Sequence, residues 1–108
     1  MSKYHNNKVE INGIKFDSKK EAEYYLYLKS LLKEGRIKDL KLQTRFELQP
    51  SFKLNNKTIR AITYKADFTF YDANNRYHIV DVKGFKTKEY LLKKKLLEYK
   101  YETEIEEI

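Results

Sequence analysis

Four charged residues stand where a chain building a packed core would place apolar ones. The run YHIVDVKGF over 77–85 is mostly apolar and β-branched, yet it carries Asp81 and Lys83 two residues apart. Asp67 interrupts YKADFTF in the same way, and Glu21 lies in the apolar-rich segment that follows Ser18. An acid flanked by Ala and Phe is costly to bury without a partner. Carboxylates brought together repel one another unless a cation lies between them. Mg²⁺ accepts a few carboxylate oxygens and fills its other positions with water and substrate phosphate. An ammonium two residues beyond a ligand reaches the same pocket, where it can stabilise a hydroxide or the charge developing on phosphorus. Together these residue types suit metal-dependent hydrolysis of a phosphodiester. Taken singly, Asp-x-Lys is also an ordinary ion pair on a solvated strand, and Glu21 an ordinary helix-capping residue.

Whether the four meet depends on the elements that carry them. VEINGIKF reads as a hairpin around Asn12-Gly13. Ser18 and Glu21 form a capping box, opening a helix that runs to about Glu34 and stops at Gly35. At about 100° per residue, Glu21, Tyr25, Leu28 and Leu32 share one stripe, and Glu23 points nearly opposite. Residues 42–54 and 58–72 read as long strands joined around Asn55-Asn56, and 76–83 as a third strand broken by Gly84. A second helix is predicted over 87–99, with Leu92, Leu96 and Tyr99 on one face and Tyr90, Lys93, Lys94 and Leu97 towards the other. Residues 101–108 alternate as a short edge strand. Alternation puts Lys65, Asp67 and Thr69 on one face of the second strand, opposite Ala66, Phe68 and Phe70. On the third it groups Ile79, Asp81 and Lys83 against His78, Val80 and Val82. If the two strands are neighbours, Asp67 and Asp81 meet on one side. The order hairpin, α, β, β, β, α, β belongs to the α/β class, a mixed sheet flanked by helices.

Composition narrows the partners. The length suits a single domain over 1–108, with residues 1–8 as a flexible basic arm. A hydrophobic share of 41% sets the chain apart from disordered sequences. No apolar run approaches membrane-spanning length and no signal-peptide pattern opens the sequence, so a cytoplasmic protein without a membrane partner is expected. Cysteine is absent and histidine occurs twice, which leaves a hard, oxygen-bound cation as the metal to expect. The net charge of +7 suits a polyanion, nucleic acid first. Residues 83–100 hold seven Lys against two Glu, so Lys86, Lys88, Lys93 and Lys94 are candidates for phosphate contacts that position DNA without reading its sequence.

An acid on the first helix, then Asp, then Asp-x-Lys on consecutive strands resembles the signature of the PD-(D/E)XK, or restriction-endonuclease-like, nuclease superfamily. The αβββαβ order resembles that superfamily's core. NGIKFDSKKEAEYY, the LQ of LKLQTRF, YKADFTFYD, HIVDVKGF and the Thr-Lys-rich second helix resemble a small phage-encoded family of resolvase-like or endonuclease-like proteins, over about residues 4–100. More distantly the chain is similar to the cutting subunit of Tn7-type transposases. The resemblance implies Glu21, Asp67, Asp81 and Lys83 as catalytic residues. It implies Asp67, Asp81, Glu21 and the backbone carbonyl of Val82 as ligands for Mg²⁺ or Mn²⁺, with Gln43 in support. Ala66 stands where the name-giving pattern has proline.

The implied activity is a DNA endonuclease of phage recombination, replication or packaging, acting in the cytoplasm of a bacterial host. A chain this short has little room for a sequence-reading domain, which favours selection of branched DNA, such as a Holliday junction, over a specific site. A homodimer would supply two active sites for two strands, and phage or host proteins are further candidate partners. Two other readings compete: a non-catalytic nucleic-acid- or protein-binding domain on the same fold, and the cutting subunit of a larger recombination complex.

Overall fold

The computed structural model describes residues 8–82 and 85–108, so most of the expected N-terminal arm, together with Lys83 and Gly84, lies outside the described residues. The chain begins with a hairpin of β1 (Val9–Ile11) and β2 (Ile14–Phe16). Asn12 and Gly13 both take positive φ, 52° and 82°, as a tight primed turn requires. Helix α1 (Lys19–Lys33) follows. Ser18 caps it by accepting the Glu21 N–H at 3.1 Å, while Glu21 Oε1 accepts the Asp17 N–H at 3.2 Å. The helix closes in a Schellman arrangement, with Gly35 N–H on the Leu32 carbonyl, Arg36 N–H on that of Leu31, and Gly35 at φ +75°.

The two long central strands depart from the expected bounds. β3 (Ile37–Gln49) begins earlier than expected and ends before Pro50, which has no N–H to continue a ladder. Residues expected to continue it form β4 (Phe52–Leu54), which pairs with β5 (Lys57–Ile59) in a separate hairpin. Asn55 and Asn56, both at positive φ, make its turn. The chain re-enters the main sheet as β6 (Ile62–Asp72), then β7 (Tyr77–Asp81), α2 (Lys88–Tyr101) and β8 (Ile105–Glu107). The sheet order is β3-β6-β7-β8, antiparallel except for the parallel pair β7–β8. β8 is an edge strand, as predicted. This is a mixed sheet with a helix packed on each face, an α/β architecture.

Two apolar clusters sit on the two faces. Phe16, Ala22, Tyr25, Leu28, Phe68 and Val80 gather under α1, while Phe46, Tyr64, Ile79, Leu97 and Ile105 gather under α2. Ile79 and Val80, adjacent on β7, point to different clusters, as strand alternation demands. β3 and β6 break that alternation. Phe46 and Tyr64 pack towards α2, yet Leu42 and Phe68, an even number of residues away, pack towards α1. The strand pair therefore turns over between them, at Gln43 and Asp67. Gln43 has φ +56°, a left-handed conformation that is uncommon for a residue inside a strand. Consequently Lys65 and Thr69 do not share the environment expected from simple alternation: Lys65 is exposed and Thr69 is buried. On α2 the buried residues are Tyr90 and Leu97, whereas Leu92, Leu96 and Tyr99 face outwards. No helix among the described residues is long and apolar enough to cross a membrane.

Candidate active site

The turnover point is where the acids lie. β6 and β7 pair as Phe68↔Val80, Thr69↔Ile79 and Phe70↔His78, a register that places Asp67 directly opposite Asp81. β3 pairs Leu42 with Phe68 and Thr44 with Ala66, which sets Gln43 on the other side of Asp67. The two aspartates bond reciprocally to each other's strand. Asp81 Oδ1 accepts the Asp67 N–H at 2.9 Å, and Asp67 Oδ2 accepts the Val82 N–H at 2.8 Å. Carboxylate–backbone bonds thus close the end of the β6–β7 pair, and charge-assisted bonds of this kind are the stronger class. Gln43 Nε2 points at Asp67 Oδ1 from 3.5 Å.

Glu21 comes from α1 above this point. Its capping position orients it, and only 6% of its surface is exposed. Burial first, and then the negative charge of Asp67, push its pKa from 4.5 up to about 7, against the lowering effect of the Asp17 N–H bond. Glu21 and Asp67 are therefore mutual neighbours. Asp81 is fully buried, and its charge acts on Tyr90 of α2. Tyr90 donates its hydroxyl to Glu107 Oε2 at 2.6 Å, and Lys86 pairs with Glu107 Oε1 at 3.0 Å. Burial, followed by the bond to Glu107, raises the Tyr90 pKa strongly. The structure thus brings Glu21, Asp67 and Gln43 together on one side and links Asp81 to them through backbone bonds. Among the described residues, no group of three His, Asp or Glu side chains is gathered as a metal cage. Lys83, two residues beyond Asp81, lies outside the described residues.

The predicted phosphate-contacting lysines are mostly paired. Besides Lys86, Lys93 meets Glu89 at 3.2 Å and Lys94 meets Glu98 at 3.1 Å, both one helical turn apart. Lys88 is exposed, with no carboxylate partner among the described residues. Ion pairs at the surface, such as these partly exposed ones, are worth little and yield readily to a competing phosphate.

The donor chemistry fits a divalent cation. Glu21, its pKa raised first by burial and then by the charge of Asp67, makes a like-charge contact that Mg²⁺ or Mn²⁺ would relieve, with the two carboxylates as ligands.

Sequence reasoning missed a second polar assembly, at the other end of β7. His78 places Nε2 2.8 Å from Asp72 Oδ2 and Nδ1 2.5 Å from Glu106 Oε2, and its ring stacks on Phe70 at 4.9 Å. Burial lowers the His78 pKa, but the bonds to the two carboxylates outweigh it and the net direction is up. Asp72 is held down to about 2 by His78 and by the Arg76 and Asn74 N–H groups. These residues line part of a cleft of about 370 Å³ beside Tyr24 and Arg36, away from Asp67 and Asp81. The protonated form donates from both ring nitrogens, so it stabilises the fold below pH 6.5 and loses that contribution as pH rises through the raised value. His78→Gln is expected to cost more stability at pH 6 than at pH 9 in urea unfolding; equal losses would contradict this assignment.

No curated protein and no solved structure gives a significant match to the chain. The family model described as a protein of unknown function (DUF1064) matches residues 1–107, and the chain belongs to that family.

Proposed function

We propose that this protein is a metal-dependent endodeoxyribonuclease on a PD-(D/E)XK, restriction-endonuclease-like core, selective for branched DNA such as a four-way junction. The observation that carries the reading is the gathering of Glu21, Gln43, Asp67 and Asp81 at the end of the β6–β7 pair, immediately before Lys83. With the two hairpins set aside, the order α1, β3, β6, β7, α2, β8 supports the αβββαβ core. Asp67 and Glu21 would hold Mg²⁺ or Mn²⁺, with Asp81 and the Val82 carbonyl contributing at the strand end. The bound ion supplies polarisation of a phosphoryl oxygen and a water acidified towards neutral pH. Glu21 keeps its proton up to about pH 7, and an adjacent cation would favour its ionised, ligating form. Gln43 orients Asp67. Lys83 would orient the attacking water and stabilise charge on the phosphoryl group.

The setting would be phage recombination, replication or packaging in a bacterial cytoplasm. A homodimer would set two such sites on two strands, and the outward Leu92, Leu96 and Tyr99 of α2 offer an apolar surface for the second copy.

The second reading is a non-catalytic domain that binds nucleic acid or protein, alone or within a larger recombination complex. The reciprocal aspartate–backbone bonds favour it, because they give Asp67 and Asp81 a structural task without any metal. Incubation with Mg²⁺ or Mn²⁺ and labelled linear, single-stranded, flapped and four-way-junction DNA separates the readings. The nuclease reading expects metal-dependent nicking, strongest on the branched substrates; intact DNA in every lane favours the binding domain.

A further inference from the structure

Past the carboxylates, towards Ile62, β6 has no β7 partner among the described residues: β7 pairs with residues 68–71 and ends opposite Asp67. A cleft of about 320 Å³ opens between this stretch and the first turn of α2. Arg45 and Lys65 line it from the strands, and Lys93, Glu89 and the capping residue Thr87 line it from the helix. Three features point to an anion here.

Arg45 and Lys65 are register partners on adjacent strands. Like charges directly opposite one another destabilise a sheet, and among the described residues neither cation has a carboxylate partner. Tyr64 also lines the cleft; it is 94% buried, being 6% exposed, and its buried hydroxyl has no hydrogen-bond partner. Such a group is costly to leave unpaired, and a ligand oxygen reaching it from the cleft would satisfy it. Finally, the N-terminus of the 14-residue helix α2 opens beside these groups with its orphan N–H donors and positive dipole end. A guanidinium, an ammonium, a hydroxyl and a helix N-terminus together match the oxygens of a phosphate.

The position gives the phosphate a source. Arg45 and Lys65 stand two residues from Gln43 and Asp67 along their strands, about 7 Å. We propose that this cleft is a phosphate subsite that grips the DNA backbone next to the bond presented to Asp67, an inference that rests on the nuclease reading for its substrate. The cross-strand cation pair, with Lys93 beside it, then supplies much of the backbone grip.

The test is binding of a labelled four-way junction in EDTA, by anisotropy across a salt series, with metal-dependent cutting measured separately. For the double variant R45Q/K65Q, affinity is expected to fall at least about tenfold, with the slope of log K against log salt shallower by about one per cation removed. K29Q/K33Q, which removes the same charge from the exposed side of α1, should change affinity less than about threefold. Y64F should weaken binding severalfold and leave the salt slope alone, since it removes a hydroxyl and no charge. Melting temperatures of the strand variants should not fall, because a like-charge contact is being removed. A wild-type protein that fails to bind the junction, or an R45Q/K65Q protein matching K29Q/K33Q in affinity and slope, overturns the subsite. Binding that depends on Arg45 and Lys65 without any cutting supports the subsite and removes the nuclease reading. Normal cutting with unchanged binding does the reverse.

Discussion

Replacing Glu21 with glutamine is expected to stabilise the metal-free protein at pH 8.5 by on the order of 3 kcal/mol and to leave it nearly unchanged at pH 4. The sign follows from the direction of the shift. The unfolded chain releases the Glu21 proton near 4.5, whereas the folded chain keeps it to about 7. Between those values the unfolded state binds fewer protons, so stability falls as pH rises, and above them the fold carries a buried, ionised carboxylate beside Asp67. Glutamine keeps the oxygen that accepts the Asp17 N–H and never ionises. For a domain of this size the gain is a rise in melting temperature on the order of 10 °C. Thermal unfolding in EDTA at the two pH values checks it. Asp67→Asn should recover part of the same gain, and the two gains should not add, because each removes one side of the same repulsion. Saturating Mn²⁺ should reverse the ranking, since a ligand that binds only the folded state stabilises the protein that holds it.

The second large effect concerns activity. Asp67→Asn is expected to lower metal-dependent cutting by at least about a thousandfold, the scale of losing a metal's stabilisation of the transition state. The amide oxygen still accepts the Val82 N–H that Asp67 Oδ2 now accepts, so the strand end keeps its closure. Asp81→Asn should behave alike. Asp81→Ala is a poorer probe, because it strips the acceptor from the Asp67 N–H in a part-buried setting. Such a loss costs about 1–3 kcal/mol and mixes stability with chemistry. Activity within tenfold of wild type in either asparagine variant would contradict the site.

Much of this arrangement was legible in the residues because it depends on local rules. The Ser18–Glu21 box, the Asn-Gly turn and Gly35 fix α1 and the first hairpin through contacts a few residues apart. The placement of Glu21 on the buried stripe followed from helical periodicity alone. What escaped depends on pairing between distant segments. Strict alternation gave β6 one apolar face, whereas the left-handed Gln43 and the turnover at Asp67 divide it between two cores. No local signal marks that turnover, since glutamine carries no preference for positive φ. Pro50 did carry a signal, and the expected strand over 42–54 ignored its missing N–H. The His78 assembly joins residues 6 and 28 positions apart, and Arg45 meets Lys65 only through the β3–β6 register.

The acids at the β6–β7 strand end are proposed as a metal-dependent DNA-cutting site. The decisive measurement is cleavage of a labelled four-way junction in Mn²⁺ by wild type and by Asp67→Asn, with both proteins first shown to be folded. The wild type is expected to nick the junction, with EDTA abolishing the nicking and Asp67→Asn lacking it. Equal nicking by the two proteins would contradict it.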